Sequence, residues 1–499
     1  MPVLLELFPL LLTLTLALLL RRTLIALGAG VLCGALILND FAPVDSVSYL
    51  GRGIQGLFYQ EGTWQSWHLN VLAAMLLLGI MTSLLGRSGA VAEFGVWLSR
   101  RIRDGRQARL GVVGLGFLVF IDGIFSCLAV GSVGRPLAQH YGISANRLAY
   151  MVDTTASPLC SLVPVASWGP YVMALLAGIA FLPVSPLEAF IGIAAVNFYA
   201  IGALLLVLLG SWLNWGWSGE PEPTIDTAAD DLVHASPWPL FLPLAALLVS
   251  SVAFTLYSGS RLAGEPGLGA MLTAADIGAA MRDASALAVL VAMVGSLWRG
   301  RGSLLGADLL VGLKSMALAV GILLLTWMIG QLIKDLGAGA RIANLAREWL
   351  SADYMLAGIF GLCAVMAFAT GTSWGTFAIM IPLCAEVAHS LQPELLLPAL
   401  AAVMAGSVFG DHCSPISDTS ILSATASGAE VQGHVTSQLP FALMAAIAAL
   451  LAFQALNLGL ATAAALVLMV LVAAALLWLW QRRLKAAATK GGEGTGLSL

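Results

Sequence analysis

Gly410-Asp411-His412-Cys413-Ser414-Pro415-Ile416-Ser417-Asp418-Thr419-Ser420 is the stretch whose reading decides the fold. It follows directly on an apolar run that begins near residue 396. Asp411 and Asp418 are seven residues apart, which puts them on one face of a continuous helix. Pro415 argues against continuity, because it removes a backbone donor and clashes with the preceding turn. A helix broken at membrane depth exposes carbonyl oxygens and must line protein or a cavity. Carbonyls, hydroxyls and carboxylates are hard oxygen ligands that suit a small hard cation. The same carboxylates bind protons, so cation and proton can compete for one site. The bland alternative is a polar loop outside the membrane. The length of the segment, its proline and the apolar run before it weigh against that.

The rest of the chain places this stretch in a bilayer. Of 499 residues, 59% are hydrophobic and only 10% are charged, against about 25% charged in soluble domains. The mean hydropathy is +0.92 over the whole length. Such a composition excludes an ordinary soluble enzyme, a disordered chain and a nucleic-acid binder, and it predicts an all-α polytopic membrane protein. A net charge of −4 implies no partner other than the lipid bilayer. The six cysteines stand singly with no metal-like spacing, so they read as reduced packing residues. Apolar segments recur from 3–20 to 459–480 and predict about 11 to 13 crossings, with one or two re-entrant segments.

Loop charge sets the orientation. The first apolar run lacks a basic leader, and Arg21 and Arg22 follow it, which fits a retained first helix ending in the cytoplasm. Segment 87–109 carries Arg87, Arg100, Arg101, Arg103, Arg106 and Arg109, and the tail carries Arg482, Arg483 and Lys485; both are expected in the cytoplasm. Segment 214–236 has no Lys or Arg but holds Glu220, Glu222, Asp226, Asp230 and Asp231, and is expected as an external linker. Arg135 and Arg147 do not fit a simple count of crossings. A re-entrant segment near 120–130 would change that count.

Internal repetition organises the whole. Leu76-Leu77-Leu78-x-x-Met81 matches Leu323-Leu324-Leu325-x-x-Met328 at an offset of 247. Gly123-x-Phe125 matches Gly375-x-Phe377 at 252, and Ala156-Ser157-Pro158 matches Cys413-Ser414-Pro415 at 257. Three weak matches in one order predict two related halves, as transporters commonly have, with the site between them near the midplane. The loop after the first Leu-Leu-Leu helix is strongly basic and its partner only slightly so, which favours inverted over parallel repeats. The segments around 122–130 and 371–380 are then expected to reach the midplane, related by an axis in the membrane plane. The expected organisation is 1–59 N-terminal helices and external loop, 60–215 first repeat, 216–304 linker and connecting helices, 305–460 second repeat, and 461–499 last helix and cytoplasmic tail.

An ionisable group in the bilayer core costs at least about 2.5–3.5 kcal/mol, so each one is a functional candidate. Asp411 and Asp418 lead, with sodium assigned to this pair. Asp122, in Phe117-Leu-Val-Phe-Ile-Asp122-Gly-Ile-Phe125, and Asp153, in Asp153-Thr-Thr-Ala-Ser157-Pro158, are the first-half counterparts. Asp122 also fits a paired structural carboxylate, and Asp153 a helix N-cap. Glu6 and Glu188 lie near segment ends and fit headgroup contacts. Lys314 fits snorkelling from a helix end. His412 fits either a pH sensor or a donor to a neighbouring carboxylate or carbonyl. Ser157, Thr372, Ser373, Ser414, Ser417 and Thr419 are expected as neutral ligands or cavity lining. No enzymatic constellation and no ATP-binding motif is present, so transport must draw on a gradient.

Gly410-Asp-His-Cys-Ser-Pro-Ile-Ser-Asp-Thr419, with Thr370-Gly-Thr-Ser-Trp-Gly-Thr376, Asp122-Gly-Ile-Phe125 and Asp153-Thr-Thr-Ala-Ser-Pro158, resembles the NhaC-type sodium/proton antiporter family over roughly residues 60–460. The resemblance implies the ion-transporter fold group, with two inverted repeats, re-entrant hairpins and a homodimer. It implies exchange of sodium for protons by a multi-pass protein of a bacterial inner membrane, with no cofactor besides the transported Na⁺ and H⁺. The family also holds exchangers of small organic acids and amino acids, which is the alternative function. The absence of Arg and Lys from both second-half motifs favours the inorganic cation.

Overall fold

The computed structural model describes residues 3–20, 22–60, 62–217, 236–263, 274–338 and 351–493, with isolated positions between them. Backbone groups have no water to bond in lipid, so an apolar chain must satisfy them within helices. The first half runs α1 (Val3–Leu20), α2 (Thr23–Leu38), α3 (Pro43–Phe58), a two-stranded hairpin of β1 (Tyr59–Gln60) and β2 (Thr63–Trp64), α4 (Ser66–Arg87), α5 (Ala90–Ser99), α6 (Gly105–Leu118), α7 (Gly123–His140), α8 (Ala145–Thr154), α9 (Ser157–Cys160), α10 (Trp168–Ala177), α11 (Pro186–Ala195) and α12 (Phe198–Leu213). Connecting helices α13 (Trp238–Leu262) and α14 (Ile277–Trp298) follow. The second half runs α15 (Leu305–Asp335), α16 (Met355–Thr370), α17 (Ser373–Leu391), α18 (Leu396–Cys413), α19 (Asp418–Ser427), α20 (Val431–Asn457) and α21 (Thr462–Glu493).

The side that carries Arg87 and the arginines of 100–109 is the basic face. Helices α4 and α15, which bear the matching Leu-Leu-Leu motifs, run antiparallel. At one end the His68 ring lies 4.2 Å from that of Trp327. At the other, Arg87 Nε lies 2.5 Å from Asp308 Oδ1 at the basic face. Between these ends the two backbones touch, and a Cβ on Gly79 would sit 2.6 Å from the Gly312 carbonyl oxygen.

Helices α6 and α7 form a hairpin that returns to the face it entered. Its base is closed where Tyr141 Oη donates to the Ile102 carbonyl at 3.0 Å. Its tip is the short break before Asp122, whose extended backbone ends the turn and whose side chain caps α7. This return brings Arg135 and Arg147 to the basic face and removes their misfit with a simple count of crossings. Helices α16 and α17 form the second hairpin, entered from the opposite face. Helix α20 begins with Gly433 beside Asn146 at the basic side. The helix is 27 residues long and so ends about 40 Å away at 1.5 Å per residue, with Asn457 Nδ2 donating to Ala352 O just before α16. Gly371 ends α16 with φ +68, and a Cβ there would lie 2.8 Å from the Ile416 oxygen. Only glycine meets both the left-handed backbone and that close approach.

Two spans are broken at the same depth. The first passes from α8 through the single turn of α9, with Pro158 in its opening turn, into α10. The second passes from α18 to α19 across Ser414-Pro415-Ile416-Ser417, with Ser414 extended. Nine described helices are long and apolar enough to cross a membrane alone, or ten if the bent pair α11–α12 is one span. Two of the nine, α16 and α17, are instead hairpin arms, and the broken α8–α10 adds a span; α1 and α2 are shorter apolar helices whose junction lies inside the protein, with Thr23 beside Gly375 at the second tip and Leu24 beside Gly321 midway along α15. This is the all-α polytopic fold with re-entrant and broken helices that the sequence predicts.

The expected external linker needs correction. Arg21, Glu220, Glu222, Asp226, Asp230 and Asp231 lie outside the described residues, but the flanks of the linker are described. Arg147 Nη1 donates to Asn214 Oδ1 at 2.7 Å, and Arg106 stacks on Trp212 at 3.6 Å. On the other flank, Phe241 packs against Phe94 near the basic loop. Both ends of the acidic segment therefore sit at the basic face. Lys and Arg set orientation and acids contribute little, so the acids carried no such information.

Candidate functional site

The two hairpin tips and the two helix breaks converge. A Cβ built on Gly123, next to the first tip, would lie 3.6 Å from Thr419 Cγ2 and 3.8 Å from Ser157 Oγ. Ser157 Oγ, at the start of α9, donates to Thr419 Oγ1 at 3.3 Å, and Thr419 Oγ1 lies 3.1 Å from Ser417 Oγ. Ser417 Oγ donates to Asp411 Oδ1 at 2.6 Å, and Ser373 Oγ at the second tip donates to Asp411 Oδ2 at 2.8 Å. A line of hydroxyls thus runs from Ser157 in the first half of the chain to the Asp411 carboxylate in the second.

Asp122 is 6% exposed. Its Oδ1 accepts from Phe125 N at 2.9 Å, and its Oδ2 accepts from Ser167 Oγ at 2.9 Å. It lines a cavity of about 1100 Å³ that also holds Arg87, His140 and Gln139 and so opens toward the basic face. Asp411 is 5% exposed. Asp153 is wholly buried near the end of α8, and its Oδ2 accepts from Ser420 Oγ, His434 Nε2 and Gln438 Nε2 at 3.0, 3.2 and 2.9 Å. It is therefore no N-cap; the cap belongs to Asp122.

The partners of these acids divide them. Asp308 is buried against Arg87, Glu6 pairs with Arg341 at 2.9 Å, and Asp153 meets His434. Among the described residues Asp122 and Asp411 have only neutral donors. A buried carboxylate without a fixed basic partner needs a mobile positive charge, either a proton or a metal cation.

Asp418 does not join Asp411. The break turns it outward as the exposed first residue of α19, so the seven-residue spacing no longer brings the two together. Ser414 Oγ donates to the Phe368 carbonyl at 2.8 Å and ties the break to α16 instead of facing the site. Thr372 occupies the N-cap position of α17 without a capping bond. His412 meets neither carboxylate nor carbonyl through its ring: Nδ1 is 2.7 Å from Tyr199 Oη and Nε2 is 3.2 Å from Thr154 Oγ1. Glu188 forms a capping box with Ser185. Lys314 is exposed on α15. Sequence reasoning missed Ser167, His434 and Gln438. His434 and Gln438 stand four residues apart in the apolar helix α20, which puts them on one face, and that spacing was a usable signal.

A sequence profile described as the Na⁺/H⁺ antiporter family matches residues 159–458. The chain belongs to the Na⁺/H⁺ antiporter family. The matched span includes Ser373, Asp411, Ser417 and the partners of Asp153 on α20, and the family is one of transporters, not of enzymes. Among relatives of this antiporter, an uncharacterised protein of Haemophilus influenzae is 34% identical over 88% of each chain. A malate-2H⁺/Na⁺-lactate antiporter of Bacillus subtilis is 30% identical over 27% of each chain. The fold is similar to that of the YdaH transporter of Alcanivorax borkumensis, with a TM-score of 0.56 and 17% identity over 83% of this chain and 90% of that one.

Proposed function

We propose that Asp411, with Ser373 and Ser417, holds either the exchanged sodium ion or a proton, and that Asp122 is the carboxylate met from the basic face. The observation that carries this is the absence of any basic partner from both acids among the described residues. An empty, ionised Asp411 is costly in this setting, so release of sodium favours uptake of a proton and the reverse. The hydroxyls of Ser157, Ser417 and Thr419 add neutral oxygens beside it.

Alternating access fits the two cavities. The one at the basic face reaches Asp122. Another, of about 1020 Å³, opens on the opposite face among Tyr49, Arg52, Lys334 and Glu386 and holds no site carboxylate. There Tyr49 Oη donates to Asp335 Oδ2 at 2.6 Å, and burial with that carboxylate raises the phenol above its ordinary range. Hairpins entered from opposite faces, and the antiparallel α4 and α15, support two inverted repeats that rock about the site. The bacterial relatives support a place in a bacterial cytoplasmic membrane.

The size of the basic-face cavity favours one second reading, exchange of a small organic acid coupled to cations. Purified protein in proteoliposomes with an internal pH dye tests both. Sodium or lithium pulses are expected to move protons; a response to malate or an amino acid alone would overturn the sodium reading.

A further inference from the structure

We propose that the basic-face cavity is a binding site for an organic cation with an apolar body, seated with its charged end at Asp122. The proposal deepens the reading of Asp122 as the carboxylate met from that face and rests on it.

The cavity is a groove along α7. Its wall follows one face of that helix at a spacing of one turn, from Ile124 through Leu128, Ser132 and Pro136 to His140. From residue 124 to residue 140 is about 24 Å at 1.5 Å per residue. Val91 of α5 and Met316 of α15 belong to the facing walls. A volume of about 1100 Å³ admits a molecule far larger than a sodium ion, and aliphatic side chains offer a hard cation no oxygen. A large, mostly apolar cleft with a few polar groups is the usual form of a site for an organic ligand.

The polar groups set the sign of the charge. Asp122 stands at the inner end, and Arg87 in the wall is already paired with Asp308. The wall hydroxyls are spent as donors. Thr82 donates to the Gly79 carbonyl, Ser83 to that of Asp308, Ser132 to that of Ala129 and Ser315 to that of Gly312. Gln139 and His140 stand at the far end of α7, by the base of the hairpin. Size alone admits an organic anion, but at the inner end it would meet a carboxylate and no donor from these hydroxyls. A cation is drawn to Asp122 instead. Phe125, which lines the same end, adds an aromatic ring of the kind that recognises alkylammonium groups.

Isothermal titration calorimetry on the whole protein in phosphatidylcholine nanodiscs tests this, with empty nanodiscs as the blank. The probe is phenethyltrimethylammonium, which keeps its charge at every pH. The wild type is expected to bind it at least about tenfold more tightly than uncharged phenethyl alcohol or anionic phenylpropionate. Equal binding of the alcohol would mean an apolar groove that a lipid chain could fill, and tighter binding of the anion would reverse the sign. Either result would overturn the proposal, as would no binding above the blank. Leu128→Gln, at an exposed position in the groove, is expected to weaken the probe about threefold to tenfold and to keep wild-type sodium–proton exchange. Unchanged affinity there would put the probe elsewhere and overturn the site. Asp122→Asn is expected to weaken the probe at least about tenfold. An Asp122→Asn protein that exchanges slowly yet binds the probe as wild type does would overturn this proposal alone. One that loses the probe but exchanges sodium at the wild-type rate would overturn the role of Asp122 in exchange and leave the organic-cation site standing. If that variant does not fold, the wild-type ranking of the three compounds still decides.

Discussion

The two re-entrant hairpins share a backbone plan and divide the chemistry. At the first tip Asp122 is both the carboxylate and the cap of α7, accepting from Phe125 N. At the second tip Thr372 stands in the same place and caps nothing, while Ser373 reaches across to Asp411 on the broken α18. The two hairpins turn alike, but the carboxylate stands at the tip of the first and on the broken span beside the second. An acid that also caps a helix is bound into the fold. Asp411 caps no helix of its own and accepts the Ser373 and Ser417 hydroxyls instead.

That contrast can be broken or sharpened by substitution. Asp411→Asn keeps the shape but can neither release a proton nor neutralise a cation. Removing an interaction of about 3 kcal/mol or more predicts at least about a 100-fold loss of exchange. The protein should still elute as wild type in size-exclusion chromatography, and wild-type exchange by the variant would end the assignment. If proton and sodium compete at Asp411, the half-saturating sodium concentration should rise as pH falls, by at most about tenfold per unit for each proton displaced. A value constant from acid to alkaline pH would mean separate sites.

The first tip predicts a split between function and stability. Asp122→Asn and Asp122→Ala should both slow exchange, by about tenfold if Asp122 is worth about 1.4 kcal/mol to the cation's path. Only the alanine should lower the melting temperature in detergent, because asparagine caps a helix nearly as well as aspartate and alanine forfeits about 1 kcal/mol. Equal melting of the two would show that Asp122 is no more a structural acid than Asp411. The smallest effect belongs to Asp418→Asn, expected within about twofold of wild type, since an exposed group interacts weakly. A crippled Asp418→Asn protein would return that residue to the site.

What could be read in the sequence followed chain-local signals. Pro415 marked the break in α18, and the mismatch of Arg135 and Arg147 pointed to a hairpin near Asp122. The Leu-Leu-Leu and Gly-x-Phe matches fall on α4 with α15 and α7 with α17. What failed depended on geometry across the fold. Asp411 and Asp418 share a face only while the helix is continuous, and the break rotates one away. His434 lies 281 residues from Asp153, so no local pattern pairs them. The acidic linker misled because its own charges say little about the side it occupies.

Gly79 and Gly312 have a consequence for how such a molecule can move. With no side chain between them, α4 of one half and α15 of the other are in backbone contact. A strut made in this way resists sliding, because any shift drives carbonyl into Cα. Relative motion of these two helices is therefore confined to pivoting about this contact.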